Sequence, residues 1–197
     1  VGAALAAGLV AALLAAPAAA QTGPSRALQG APVANEAVRA RFAWGAGGSR
    51  ILFVHEADEV YSHRVRGNNV QRHIRMRGHT VGHQGDPTEY VVPWGDNHIL
   101  VVTQRGLVYK HRIRGESIGP PEQINGAPVG TRGQDPLYMF QVRNILVNVT
   151  RQGEVWLHRI GRAVRPPQRV GRVAVATPRQ IRQVFNIGRT VYVVSDQ

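Results

Sequence analysis

Short apolar runs that recur every 46–48 residues predict an all-β fold, a propeller-like array of about four blades with the last one incomplete. Two further observations point the same way. Glycine, proline, asparagine and aspartate bound the runs and read as turns. Past residue 20 no stretch keeps the 3.6-residue spacing of a packed helix, and residues 34–41 leave room for only one short helical turn.

The repeat is built element by element. Ile51-Leu52-Phe53-Val54 leads to Val60-Tyr61-Ser62-His63-Arg64-Val65-Arg66-Gly67. Ile99-Leu100-Val101-Val102 leads to Val108-Tyr109-Lys110-His111-Arg112-Ile113-Arg114-Gly115. Ile145-Leu146-Val147-Asn148-Val149 leads to Val155-Trp156-Leu157-His158-Arg159-Ile160-Gly161. A fourth copy starts at Val191-Tyr192-Val193-Val194. Upstream, Gly30-Ala31-Pro32-Val33 matches Gly126-Ala127-Pro128-Val129, and Val81-Gly82 matches Val129-Gly130. Phe42, Tyr90 and Tyr138 each follow nine residues after the valines of these segments. Gln104-Arg105-Gly106 and Arg151-Gln152-Gly153 join paired runs as hairpin turns, with glycine supplying positive φ. Pro120-Pro121 and Pro166-Pro167 break any ladder where they stand.

Each unit reads in chain order as an outer strand, two inner strands and a further strand carrying His-Arg. A period in the forties also fits a β-trefoil, which needs three units, or a sandwich. Four copies of the hairpin strands count against the trefoil. The His-Arg strand occurs only three times, so the last blade lacks a strand beside 191–197. Either a longer gene product or a second chain would complete the sheet, and self-association through this edge is the expectation.

The 197 residues hold 24 Lys plus Arg against 12 Asp plus Glu, a net charge of +12. Lys110 is the only lysine, and the arginine excess fits a GC-rich genome. At 43% hydrophobic the chain can build a core, and with no cysteine it builds no disulfide framework. Residues 1–20 carry no charge and end Pro17-Ala18-Ala19-Ala20, which reads as a cleaved export signal rather than a retained anchor. The mature domain is then 21–197, secreted or periplasmic. Nucleic-acid binding has charge in its favour. Against it stand the export signal, arginine spread through every unit, and the lack of a basic run.

The repeated histidines share a face with an aromatic and an aliphatic residue: Tyr61, His63 and Val65; Tyr109, His111 and Ile113; Trp156, His158 and Ile160. That stripe reads as packing against a neighbouring blade, with each imidazole hydrogen-bonded. Arg64, Arg112 and Arg159 lie on the opposite face and are candidate ligand contacts, as are Trp44 and Trp94 near strand ends. The indoles can stack on sugar faces or plug gaps between blades; plugging is the favoured reading. His79, His83 and Asp86 depart from the repeat and are the weak candidates for a metal, but in a Gly-rich loop their spacing carries little information. Asp86-Pro87 and Asp135-Pro136 read as turn formers, and the Asn148-Val149-Thr150 sequon is discounted because it sits in a strand. No Gly-x-Ser-x-Gly, phosphate loop or His-Glu-x-x-His occurs. The expectation is a non-enzymatic protein without a cofactor; a hydrolase built on loop acids would need a pocket.

The hairpins at 99–111 and 145–158 resemble blades of tachylectin-2-like propellers, over about residues 28–197. The chain is also similar to repeat proteins exported by GC-rich bacteria. The tachylectin resemblance implies the propeller fold and, by class, binding of amino sugars between blades. Its sugar-contacting residues do not map onto this sequence position by position. The expected function is an exported binding or scaffold module, lectin-like. The alternatives are an electrostatic binder of anionic polymers or membrane surface, and a purely structural role.

Overall fold

The computed structural model describes residues 29–31, 40–46, 49–131, 136–170, 181–187 and 190–195. The chain divides into two compact units, one spanning Gln21–Ile124 and one holding Asn125–Gln197. The described residues form strands and turns, with no helix among them.

The first unit carries two sheets. One is built from β1 (Gln29–Gly30), β2 (Ala40–Ala46), β3 (Arg50–His55), β4 (Val60–Arg66), β5 (Asn69–Val70) and β6 (Ile74–Arg75). The other is built from β7 (Arg77–Gly78), β8 (Thr88–Trp94), β9 (His98–Thr103), β10 (Val108–Arg114), β11 (Ser117–Ile118) and β12 (Glu122–Ile124). The second unit carries β13 (Pro136–Val142), β14 (Ile145–Thr150), β15 (Val155–Arg159) and β16 (Gln168–Val170), then the hairpin β17 (Ile181–Ile187) and β18 (Thr190–Ser195). Each repeat pairs its own strands antiparallel in chain order, as a blade does. The sheets are separate, whereas a trefoil would merge hairpins into a shared barrel, so the array is all-β and propeller-like.

Turn chemistry sets the hairpins. Gly106 and Gly153 take φ of 78° and 75° and donate to Thr103 O and Thr150 O at 2.8 and 2.9 Å. The threonine hydroxyls accept from Leu107 N and Glu154 N, both at 3.1 Å, which closes each turn from inside. In the first sheet Asp58 does this glycine's job at φ 58°.

The sheets of the first unit meet through one apolar layer. Leu52, Val54 and Val60 of the first face Val91, Ile99, Val101 and Tyr109 of the second, with Met76, Val81, Ile113 and Ile118 completing the core. Fully burying each such side chain is worth about 1.5–3 kcal/mol. β2 lies beside β8, and the Arg41 guanidinium donates to Thr88 O at 2.6 Å. In the second unit β13 lies beside β17 in the same way.

This corrects the expected strand order. The segment expected to lie outermost does lie at the edge of its sheet, as β1 and β7, but it pairs in parallel beyond the His-Arg strand and not beside the first inner strand. The His-Arg strand is third, not last, because a broken fourth strand follows it. β5 and β6 both pair with β4, and β11 and β12 both pair with β10. The second of these breaks falls at Gly119-Pro120-Pro121, where proline has no N–H for the ladder.

The repeated histidine fills that break. His63 Nδ1 bonds Gln71 O at 2.7 Å, and His111 Nδ1 bonds Gly119 O at 3.0 Å. Both rings are buried, as is His158. Burial lowers the His111 pKa, partly offset by its bond to the Gly119 carbonyl. Burial holds His158 down to about 4. An imidazole that carries its proton on Nδ1 therefore supplies the donor the interrupted strand lacks at His63 and His111.

A second repeated device escaped the sequence reading. Gly30, Gly78 and Gly126, each 48 residues apart, pair in parallel with Val70, Ile118 and Val164. All three have positive φ, and a Cβ on any of them would fall onto the partner's carbonyl oxygen. Only glycine lets the segment entering a sheet lie against that sheet's outer turn.

Ala40 and Arg41 belong to β2, so the helical turn expected over 34–41 is not met at its described end. Its other residues lie outside the described residues, as do the export signal at 1–20, Asp135 and residues 196–197.

Candidate binding face on the second sheet

The register of the second sheet brings two of the sequence candidates together. Trp94 on β8 pairs with His98 on β9, and His98 pairs with Arg112 on β10. Paired residues project from the same face, with Cβ atoms about 4.5–5.5 Å apart. One cross-strand row therefore reads indole, imidazole, guanidinium. Arg112 is exposed, and Trp94 and His98 are half-buried. Lys110 stands two residues before Arg112 on the same face and pairs with Glu122 at 3.1 Å. Burial first, then the charges of Lys110 and Arg112, lower the His98 pKa against a smaller opposing effect of Glu122. The imidazole is thus uncharged at neutral pH.

The other candidates part company. Trp44 aligns in the repeat with Val92, and Trp94 aligns with Ala46, so the two indoles do not occupy equivalent places. Trp44 packs half-buried against the core of the first unit, which is the gap-filling reading. Arg64 shares its row with Arg50 and Ala46, not with an aromatic. Its guanidinium meets Glu116 at 2.8 Å, while Arg50 donates to Gly115 O at 2.7 Å. Both arginines of the first sheet thus hold the β10–β11 turn. Arg159, in the second unit, lies in a row with Ile145 and Val142 and is exposed.

The loop candidates for a metal have other work. The Asp86 carboxylate is buried, accepts from Arg105 N at 3.3 Å and pairs with Arg105 Nε at 3.1 Å. Burial acts to raise its pKa, but bonds from Thr103 and Arg105 and the Arg105 charge outweigh it and hold the carboxyl below the ordinary value. Asp86 is therefore more than a turn former: it pins the β9–β10 turn. The His83 ring stacks on Tyr109 at 4.3 Å, and His79 is exposed. No group of three metal-binding side chains occurs among the described residues. Asn148 of the sequon is fully buried within β14.

A further aromatic group lies on the first sheet. Phe53 stacks on Tyr61 at 5.2 Å and on His63 at 5.4 Å, and His73 meets the Phe53, Tyr61 and His63 rings edge-on. Burial, with the neighbouring His63 and Arg72, lowers the His73 pKa. Phe53 and His63 are fully buried, so this group belongs to packing.

No protein-family model and no curated protein matches the chain. Among solved structures it is similar to Prp20p from Saccharomyces cerevisiae, at 10% identity, covering 69% of this chain and 39% of that one, with a TM-score of 0.36. It is also similar to human WBSCR16, at 14% identity, covering 66% and 38%, with a TM-score of 0.35. The chain thus spans about two-fifths of the length of either structure. At these values the likeness extends no partner or activity to it.

Sequence reasoning missed His98. The signal was present: the turn Gly95-Asp96-Asn97 folds Trp94 onto His98, and the turn at Gly106 brings Arg112 to His98. Counting residues back from each glycine finds the row.

Proposed function

We propose that the chain is a non-enzymatic, exported binding module for an acidic glycan. The observation that carries this is the row Trp94–His98–Arg112. An indole offers an apolar face to a sugar ring. A guanidinium two strands across the row, with His98 between, offers forked donors to a carboxylate or sulfate. The spacing of a cross-strand row suits one sugar unit with its charged substituent. The resemblance to tachylectin-2-like propellers supports the class of function alone.

The test is a panel of neutral and acidic saccharides at two salt concentrations. Trp94→Ala weakens acidic-sugar binding by about tenfold or more, as expected for a truncated aromatic anchor. Arg112→Gln costs about tenfold on acidic sugars and leaves any neutral-sugar binding in place. Affinity for the acidic sugars rises as pH falls below the ordinary histidine value of 6.5, because His98 then gains charge beside Arg112. Acidic-sugar binding that is untouched by both substitutions would refute the proposal.

The runner-up, a purely electrostatic binder of anionic polymers or membrane surface, is favoured by the exposed Arg112 and Arg114 on that same face. Its binding would depend on salt and not on Trp94.

A further inference from the structure

We infer that the outer edge of the second sheet holds an oxyanion, a sulfate or phosphate ester, between Arg77 and Arg114. The inference goes beyond the sugar row and rests on a different observation. Ser117 pairs in parallel with Arg77 on β7 and antiparallel with Arg114 on β10. All three side chains therefore leave the same face, with a small hydroxyl between two arginine stems. Adjacent strands lie about 4.8 Å apart, so the two stems stand about 10 Å apart. That distance lets both guanidinium groups converge above the Ser117 hydroxyl. All three residues are exposed.

The charges around the row favour an anion. The acid of this turn, Glu116, leaves the opposite face and is held by Arg64 at 2.8 Å. Among the described residues no ion pair involves Arg77, Arg112 or Arg114. The exposed Asp96 of the β8–β9 turn makes none either. Two like charges set on either side of a neutral residue repel, and an oxyanion between them turns that cost into two charge-assisted bonds.

The row is also particular to this sheet. Its counterpart in the first sheet reads Gln29, Asn69 and Arg66, with a single cation. The parallel pairing forced by Gly78 is what carries Arg77 to Ser117, 40 residues along the chain. Arg112 lies two residues before Arg114 on the same face, about 7 Å away. A polymer with repeated charged groups can thus run from this row to the next.

The test titrates inorganic sulfate into nitrogen-15-labelled protein and follows the amide signals. Saturable shifts centred on Arg77, Arg114 and Ser117 are expected, lost in the Arg77→Gln/Arg114→Gln double variant and kept in Arg66→Gln. Trp94→Ala leaves these shifts in place, so failure of the sugar row and failure of this one are separable. Dextran sulfate and vesicles of equal parts phosphatidylglycerol and phosphatidylcholine then distinguish the two sources of the group. The double variant weakens binding to the true source by about tenfold, with a shallower salt dependence. Absent shifts, shifts equally strong at Arg66, or unchanged binding to both polymer and vesicle would overturn the inference.

Discussion

Gly78→Ala is expected to destabilise the first unit by about 3–4 kcal/mol, through a single methyl group. The magnitude follows from two independent effects. Gly78 sits at φ +92°, where an L side chain costs about 1–2 kcal/mol. The added Cβ would also fall on the Ile118 carbonyl oxygen, with Ile118 C at 3.3 Å behind it. These are backbone atoms of a paired strand and cannot rotate away. β7 must lift off β11, giving up the bonds from Arg77 N to Glu116 O at 2.8 Å and from His79 N to Ile118 O at 3.1 Å. Each is worth about 1 kcal/mol net. Gly115→Ala is the matched control: φ is +55°, yet nothing lies within 4 Å of the new Cβ. It should cost about 1 kcal/mol. Urea unfolding of both variants at equal m-value measures the difference directly. If the two alanine variants fall within about 1 kcal/mol of each other, the parallel clamp does not hold the sheet as argued.

Two further outcomes are expected. Because His158 is held at about 4 against an ordinary 6.5, the unfolded chain takes up the proton first. Its contribution is complete above 6.5, declines as pH falls toward 4 and is flat below that; at about 1.4 kcal/mol per pH unit it amounts to about 3 kcal/mol. Thermal or urea stability measured across that window should show the decline, and His158→Gln should flatten it. Asp86→Asn removes the charged acceptor for Arg105 and should cost about 1.5–3 kcal/mol near neutral pH. The Asp86 carboxyl titrates below its ordinary 3.8, so its stabilisation is present above that value and lost as pH falls through the folded one. An Asp86→Asn variant that matches the parent in urea unfolding at neutral pH would remove Asp86 as the pin of the β9–β10 turn.

Much of the architecture could be read from particular residues. Gly106 and Gly153, with the apolar runs on either side of them, specify strand, turn and strand. Those signals are local, because φ preference and side-chain alternation act within a few residues. The same alternation placed His111 with Tyr109 and Ile113 on a packing face, and in the first unit that face does meet the first sheet. The registers across both hairpins of the second sheet were also within reach, and with them the Trp94–His98–Arg112 row.

What the sequence by itself determined, then, is the repeating unit: its strands, its turns, its buried face and its basic character. What only the tertiary structure decided is which charges remain available. Arg64 and Arg112 occupy equivalent positions in sequence, yet Arg64 is held by Glu116 of the next repeat while Arg112 pairs across strands with His98 and makes no ion pair among the described residues. Arg77 reaches Ser117 only because Gly78 lets the backbone approach Ile118 closely. Pairings of this kind join residues some 40 to 50 positions apart, and nothing local along the chain encodes them. They follow from how the chain closes each sheet and packs it on the next, which is where a repeated sequence stops being a repeated environment.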